Sequence, residues 1–166
     1  MTYETGKIQI YDSPGGTLLG SIAITGTSYA VKVETNLPSN NITVLEADTT
    51  YPIVLTPTTK SMEFGSSVEE DYFEDYTFSV EVDNGNGYVD KTPEKNTIKE
   101  GGSESVDIRG FLKMGLNKVR INVKGLRSEQ TKSTVIFATM TSLNLTCNHP
   151  WQKVWYENED FYLQNI

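Results

Sequence analysis

The sequence is nearly without cysteine and histidine, is short of cations, and contains no long apolar run. Its single Cys147 cannot close an intramolecular disulfide, so a small domain in this chain must be held by packing or by neighbouring subunits. His149 is the only histidine, and one Cys with one His falls short of the tetrahedral ligand set of a structural zinc site. A serine triad would need His149 as its base, and no Gly-x-Ser-x-Gly elbow presents a nucleophile. No phosphate-cradling Gly-x-x-x-x-Gly-Lys-Ser/Thr loop occurs either, so no cofactor is expected. Lys and Arg total 14 against 22 Asp and Glu, a net charge of −8, which argues against a nucleic-acid partner because phosphate recognition needs clustered cations. No stretch approaches the roughly 20 apolar residues of a membrane span, so no membrane insertion is expected. The opening Met1 to Lys7 lacks a basic region followed by an apolar core, and synthesis in a cytoplasm is expected.

What is present is a two-residue rhythm. Hydrophobic residues at 37% and charged residues at 22% fit a globular chain of 166 residues with modest cores. Short alternating runs at 7–11, 18–24, 29–34, 42–47 and 51–55, separated by turn residues such as Ser13-Pro14-Gly15-Gly16, read as strands. They predict a small N-terminal antiparallel β unit over 1–58 that buries little area and leans on something else. Pro57 and the polar residues after it read as a boundary. Five carboxylates follow within seven residues, from Glu69 to Asp75. Carboxylate oxygens suit calcium, but neighbours on an extended chain point in alternate directions, which favours a solvated acidic loop.

The second region, 59–142, reads as a β-sandwich. Tyr76, Phe78, Val80 and Val82 share one face of a strand. The following Asn84-Gly85-Asn86-Gly87 supplies the positive φ angles of a tight hairpin. Val119, Ile121 and Val123 alternate with Lys118, Arg120, Asn122 and Lys124 in a further strand. Gly110 to Met114 is expected to make one turn between sheets. The apolar stretch from Ser133 to Cys147 is too long for one ordinary strand and is divided into strands near 134–140 and 142–147. Cys147 and His149 could share a face as a nucleophile pair, which would also need an orienting group and an oxyanion site; a small core cysteine is the simpler reading.

The segment Val106 to Val123, with Leu112-Lys113-Met114-Gly115-Leu116-Asn117 at its centre, resembles a recurrent element of Ig-like sandwiches, in which a "leucine, basic residue, any residue, glycine, any residue, asparagine" turn precedes a strand. With Gly125 to Leu145 it is similar to the repeated Ig-like modules in tail proteins of phages that infect gut anaerobes, including the crAss-like group. Related turns occur in sandwich modules of glycoside hydrolases and adhesins. The likeness covers about residues 76 to 147. It implies a virion tail or tail-fibre component without catalytic residues, whose partners are other virion tail subunits.

The remaining segment, 143–166, is rich in aromatic residues. Trp151, Trp155, Tyr156, Phe161 and Tyr162 are costly to leave in water. They are candidates for contact with a partner or a host surface glycan, or else strands of a further module. The expectation is therefore an all-β chain, a small N-terminal antiparallel β unit followed by an Ig-like β-sandwich. It would act as a non-enzymatic structural protein of the virion tail, homo-oligomeric and trimeric if it forms a fibre. A carbohydrate-binding module or adhesin using the C-terminal aromatics is the alternative.

Overall fold

The structure is a computed structural model that describes residues 7–23 and 25–142. The described chain is all-β: its strands are joined by turns, and a single 3₁₀ turn lies at Arg109–Phe111. In chain order the strands are β1 (Lys7–Tyr11), β2 (Leu18–Ala23), β3 (Thr27–Thr35), β4 (Asn41–Leu45), β5 (Pro52–Glu63), β6 (Glu70–Tyr72), β7 (Tyr76–Asp83), β8 (Tyr88–Asp90), β9 (Thr97–Ile98), β10 (Glu104–Asp107), β11 (Gly115–Gly125) and β12 (Thr131–Thr141).

β1 and β2 form a two-stranded antiparallel sheet of their own. The rest form two larger sheets packed as a sandwich. In one, β5 lies between β3 on one side and β10 and β6 on the other. The other runs β4, β12, β11, β7, with β8 and β9 both on the far side of β7. Every pairing is antiparallel except that of β4 with β12.

Strict alternation builds the core. Tyr76, Phe78, Val80 and Val82 of β7, Val119, Ile121 and Val123 of β11, and Ile136, Ala138 and Met140 of β12 all turn inward and are buried. From the facing sheet come Val31 of β3, Ile53 and Leu55 of β5, and Val106 of β10, and the whole set is one continuous cluster. Each fully buried Val or Ile contributes about 1.5–3 kcal/mol relative to exposure, enough over this set to hold a sandwich without disulfides.

The domain division needs correction. All five strands expected in the first 58 residues form, but only β1 and β2 stand as a separate sheet. β3 and β5 make most of one sandwich sheet, and β4 closes the other by pairing with β12. The physical reason is coverage: Val31, Ile42, Val44, Ile53 and Leu55 are buried against the second half of the chain. The boundary expected at 58/59 falls inside β5. Pro57, which suggested it, lies between the stretch of β5 that pairs with β10 (52–55) and the stretch that pairs with β6 (59–61). There β5 has only β3 beside it, so a missing N–H is tolerated. The expected turn between sheets is the 3₁₀ turn joining β10 to β11. The strand expected at 142–147 lies outside the described residues from 143 onward.

Candidate functional site

Three features of the described residues carry chemistry or exposed contact surface. The first is the β1–β2 hairpin. Asp12 organises its turn: Oδ1 accepts hydrogen bonds from Thr17 N (2.8 Å) and Ser13 Oγ (3.1 Å), and Gly15 takes the positive φ of +74°. Beyond the turn, Ile10, Tyr11, Leu18, Leu19 and Ile22 are each between 45% and 66% exposed. The ladder shifts register here: Ile10 pairs with Gly20 and Tyr11 with Leu18, which leaves Leu19 as the extra residue of a bulge. A two-stranded ribbon has no core in which to bury them and is marginal in water by itself.

The second feature is the acidic segment, where the expected uniform loop is not found. Glu69 pairs with Lys32 (3.8 Å), Asp71 with Lys60 (2.5 Å) and Asp75 with Lys99 (2.6 Å). The hydrogen bond from Lys99, followed by that from the Glu100 amide, holds the Asp75 carboxyl below its ordinary range. The hydrogen bond to Asp71 raises the Lys60 ammonium. Glu74 departs most from a solvated loop: it is buried, only 2% exposed. Its Oε2 accepts from the backbone amides of Arg127 (2.8 Å) and Ser128 (2.9 Å), and its Oε1 from the hydroxyls of Thr59 (2.6 Å) and Ser128 (2.7 Å). Burial pushes this carboxyl up, but the four hydrogen bonds outweigh it and hold the group below its ordinary value. Glu74 therefore ties the β11–β12 turn to the start of β7 and to β5. Among the described residues, no three acidic, histidine or cysteine side chains are grouped to hold a metal ion.

Gly125 makes this centre possible. A Cβ there would stand 2.3 Å from Glu74 Oε1 and 2.5 Å from Ser128 Oγ. Gly125→Ala is expected to lower the unfolding free energy by about 2–3 kcal/mol through overpacking, measurable as a shift in denaturant midpoint at unchanged m-value.

The third feature is a shallow recess of about 300 Å³ at one end of the sandwich, between the β7–β8 loop and the 3₁₀ turn. Val82, Val89 and Leu112 supply apolar surface, and Lys91 and Lys113 stand among its lining residues. Asn84 donates from Nδ2 to the Phe111 carbonyl (3.3 Å), while its Oδ1 is enclosed with no hydrogen-bond partner among the described residues. Beside the recess, the turn that carried the Ig-like resemblance is tightly built. Asn117, 1% exposed, accepts from Lys113 N (2.9 Å) and donates to the carbonyls of Lys113 (2.8 Å), Gly115 (2.9 Å) and Ala138 (3.1 Å). Gly115 holds a φ of +92°, which a Cβ would strain.

The contact candidates Trp151, Trp155, Tyr156, Phe161 and Tyr162, and the pair Cys147 and His149, lie outside the described residues. Sequence reasoning missed the exposed apolar hairpin residues, although the adjacent apolar pair Leu18-Leu19 already departs from strict alternation. It also missed Glu74, which shares the two-residue phase of Tyr76, Phe78, Val80 and Val82 and so points inward. No protein-family model matches this sequence, and no curated protein matches it significantly.

Proposed function

We propose that this chain is a non-enzymatic structural component of a phage tail or tail fibre, which docks through its N-terminal β1–β2 hairpin and projects a rigid Ig-like sandwich. The observation that carries the reading is the hairpin itself: a separate sheet whose large apolar side chains Ile10, Leu18, Leu19 and Ile22 are each 46–66% exposed among the described residues. Such a ribbon gains stability by burial against another subunit. The order of pairing in the sandwich supports the Ig-like part. β5 with β10 on one sheet, and β7, β11 and β12 on the other, correspond to the strand arrangement of Ig domains. The sequence resemblance through Leu112, Gly115 and Asn117 supports the tail assignment; Leu112 and Asn117 are buried, and Asn117 hydrogen-bonds across the turn in which Gly115 takes a positive φ. The partners in this reading are other tail subunits and further copies of the chain, three in a fibre.

Light scattering across a concentration series tests the docking element. The full chain is expected to associate, and the double variant Leu19→Asp with Ile22→Asp to run as a monomer with the same thermal unfolding of its sandwich. A full chain that stays monomeric at every concentration, or a double variant that still associates, would contradict the proposal.

A further inference from the structure

The sequence contains two Asn-Gly steps, Asn84-Gly85 and Asn86-Gly87, side by side in the β7–β8 loop. Chemically they are equivalent, since glycine leaves the following backbone nitrogen unhindered for attack on the asparagine side chain. The structure makes them unequal. We infer that Asn86 is a site of spontaneous self-modification in the folded protein and that Asn84 is protected from the same reaction.

The reaction proceeds in two steps. The backbone nitrogen of Gly87 attacks Cγ of Asn86, forming a C–N bond and a five-membered succinimide. The side-chain nitrogen leaves as ammonia, carrying the proton lost from the attacking amide. Water then adds to either imide carbonyl and opens the ring to aspartate or isoaspartate. The balance is one water consumed and one ammonia released, with no oxidant, metal or enzyme.

Both attacking nitrogens are held alike. The amides of Gly85 and Gly87 donate to the same atom, Asp83 Oδ1, at 2.8 and 2.9 Å, and both glycines sit at positive φ, +98° and +93°. Whatever Asp83 does to one nucleophile it does to the other, so the difference lies in the asparagine side chains. Asn84 is half-buried, its Nδ2 donates to the Phe111 carbonyl and its Oδ1 is enclosed. To react it must leave that hydrogen bond and rotate out of the end of the sandwich. Asn86 is exposed, and among the described residues its side chain makes no hydrogen bond. One neutral hydrogen bond corresponds to a rate difference of roughly five- to tenfold. The product places a new carboxylate on the loop that rims the recess, among whose lining residues are Lys91 and Lys113. If isoaspartate forms, the added backbone methylene also lengthens the loop.

The test is residue-resolved peptide mass spectrometry on the full chain after incubation at mildly alkaline pH, with a parallel sample in denaturant. In the folded chain Asn86 is expected to convert roughly five- to tenfold faster than Asn84. In denaturant the two are expected to convert at the same rate within a factor of about two, because the Phe111 contact is gone. An Asn86→Gln variant should lose the fast phase and keep the slow one. The inference is overturned if Asn84 keeps pace with Asn86 in the folded chain. It is also overturned if neither residue converts there, or if the preference for Asn86 persists undiminished in denaturant.

Discussion

Glu74→Ala is expected to destabilise the protein by about 3–4 kcal/mol, a fall of about 10 °C in Tm, whereas Glu74→Gln costs only about 1 kcal/mol. The contrast follows from which atoms surround the carboxylate. Alanine strands the amides of Arg127 and Ser128 and the hydroxyls of Thr59 and Ser128, all of which now donate to it. Glutamine keeps its carbonyl oxygen on the two amides and turns its NH₂ toward the two hydroxyls, which can rotate to accept. The pH dependence separates the variants further. The Glu74 carboxyl titrates below its ordinary value in the folded chain, so the unfolded chain binds more protons in the acid range. Its contribution is complete above the unfolded pKa and is lost as pH falls through the folded one. Glu74→Gln has no such group, so the gap between it and the natural protein narrows on acidification. Chemical denaturation at a series of pH values reads both effects. Equal costs for Ala and Gln would show that the four hydrogen bonds are not what holds the β11–β12 turn.

The other large effect is expected at Asn117. Asn117→Asp should cost about 3–5 kcal/mol at neutral pH, more than the roughly 2–3 kcal/mol of Asn117→Ala. Its amide nitrogen donates to three carbonyls, those of Lys113, Gly115 and Ala138. A carboxylate in the same place turns those contacts into repulsion, while alanine removes the donor from the three carbonyls and the acceptor from the Lys113 amide without adding a charge. The pH trend is opposite to that at Glu74. The introduced carboxyl is disfavoured when ionised, its folded pKa rises, and stability is recovered as pH falls below that raised value because the protonated form donates again. Denaturant midpoints for the three proteins at neutral and acid pH give the comparison. A variant indifferent to pH would place the Asn117 side chain in water.

Strands were legible in the sequence where alternation was strict. β7 carries an apolar residue at every second position from Tyr76 to Val82, and β11 does so from Val119 to Val123; the structure buries those residues. Partnership was not legible. β4 completes its sheet by lying parallel to β12, from the opposite end of the chain, and nothing local in Asn41 to Leu45 states which strand will receive it. β9 contributes one buried side chain, Ile98, too little for a period to register. The polar centres were hidden because composition treats carboxylates as interchangeable. Phase does not: Glu74 is in step with Tyr76 and Phe78, Thr59 with Ile53 and Leu55, and Asn117 with Val119 and Ile121, so each faces inward. A polar residue in the buried phase of a strand must find hydrogen bonds, and all three do. The docking reading depends in turn on Leu18 and Leu19, adjacent exposed apolar residues that break the alternation where the β1–β2 ladder shifts register.

Amide hydrogen exchange on the full chain, above and below the concentration at which it associates, bears most directly on the claim that the hairpin is the docking element. Protection over 27–142 should be the same in both samples, since the sandwich core is complete in one chain. Protection over 7–23 should rise sharply on association. A hairpin equally protected in the monomer, or gains confined to the exposed edges of β3, β4 or β8, would contradict it.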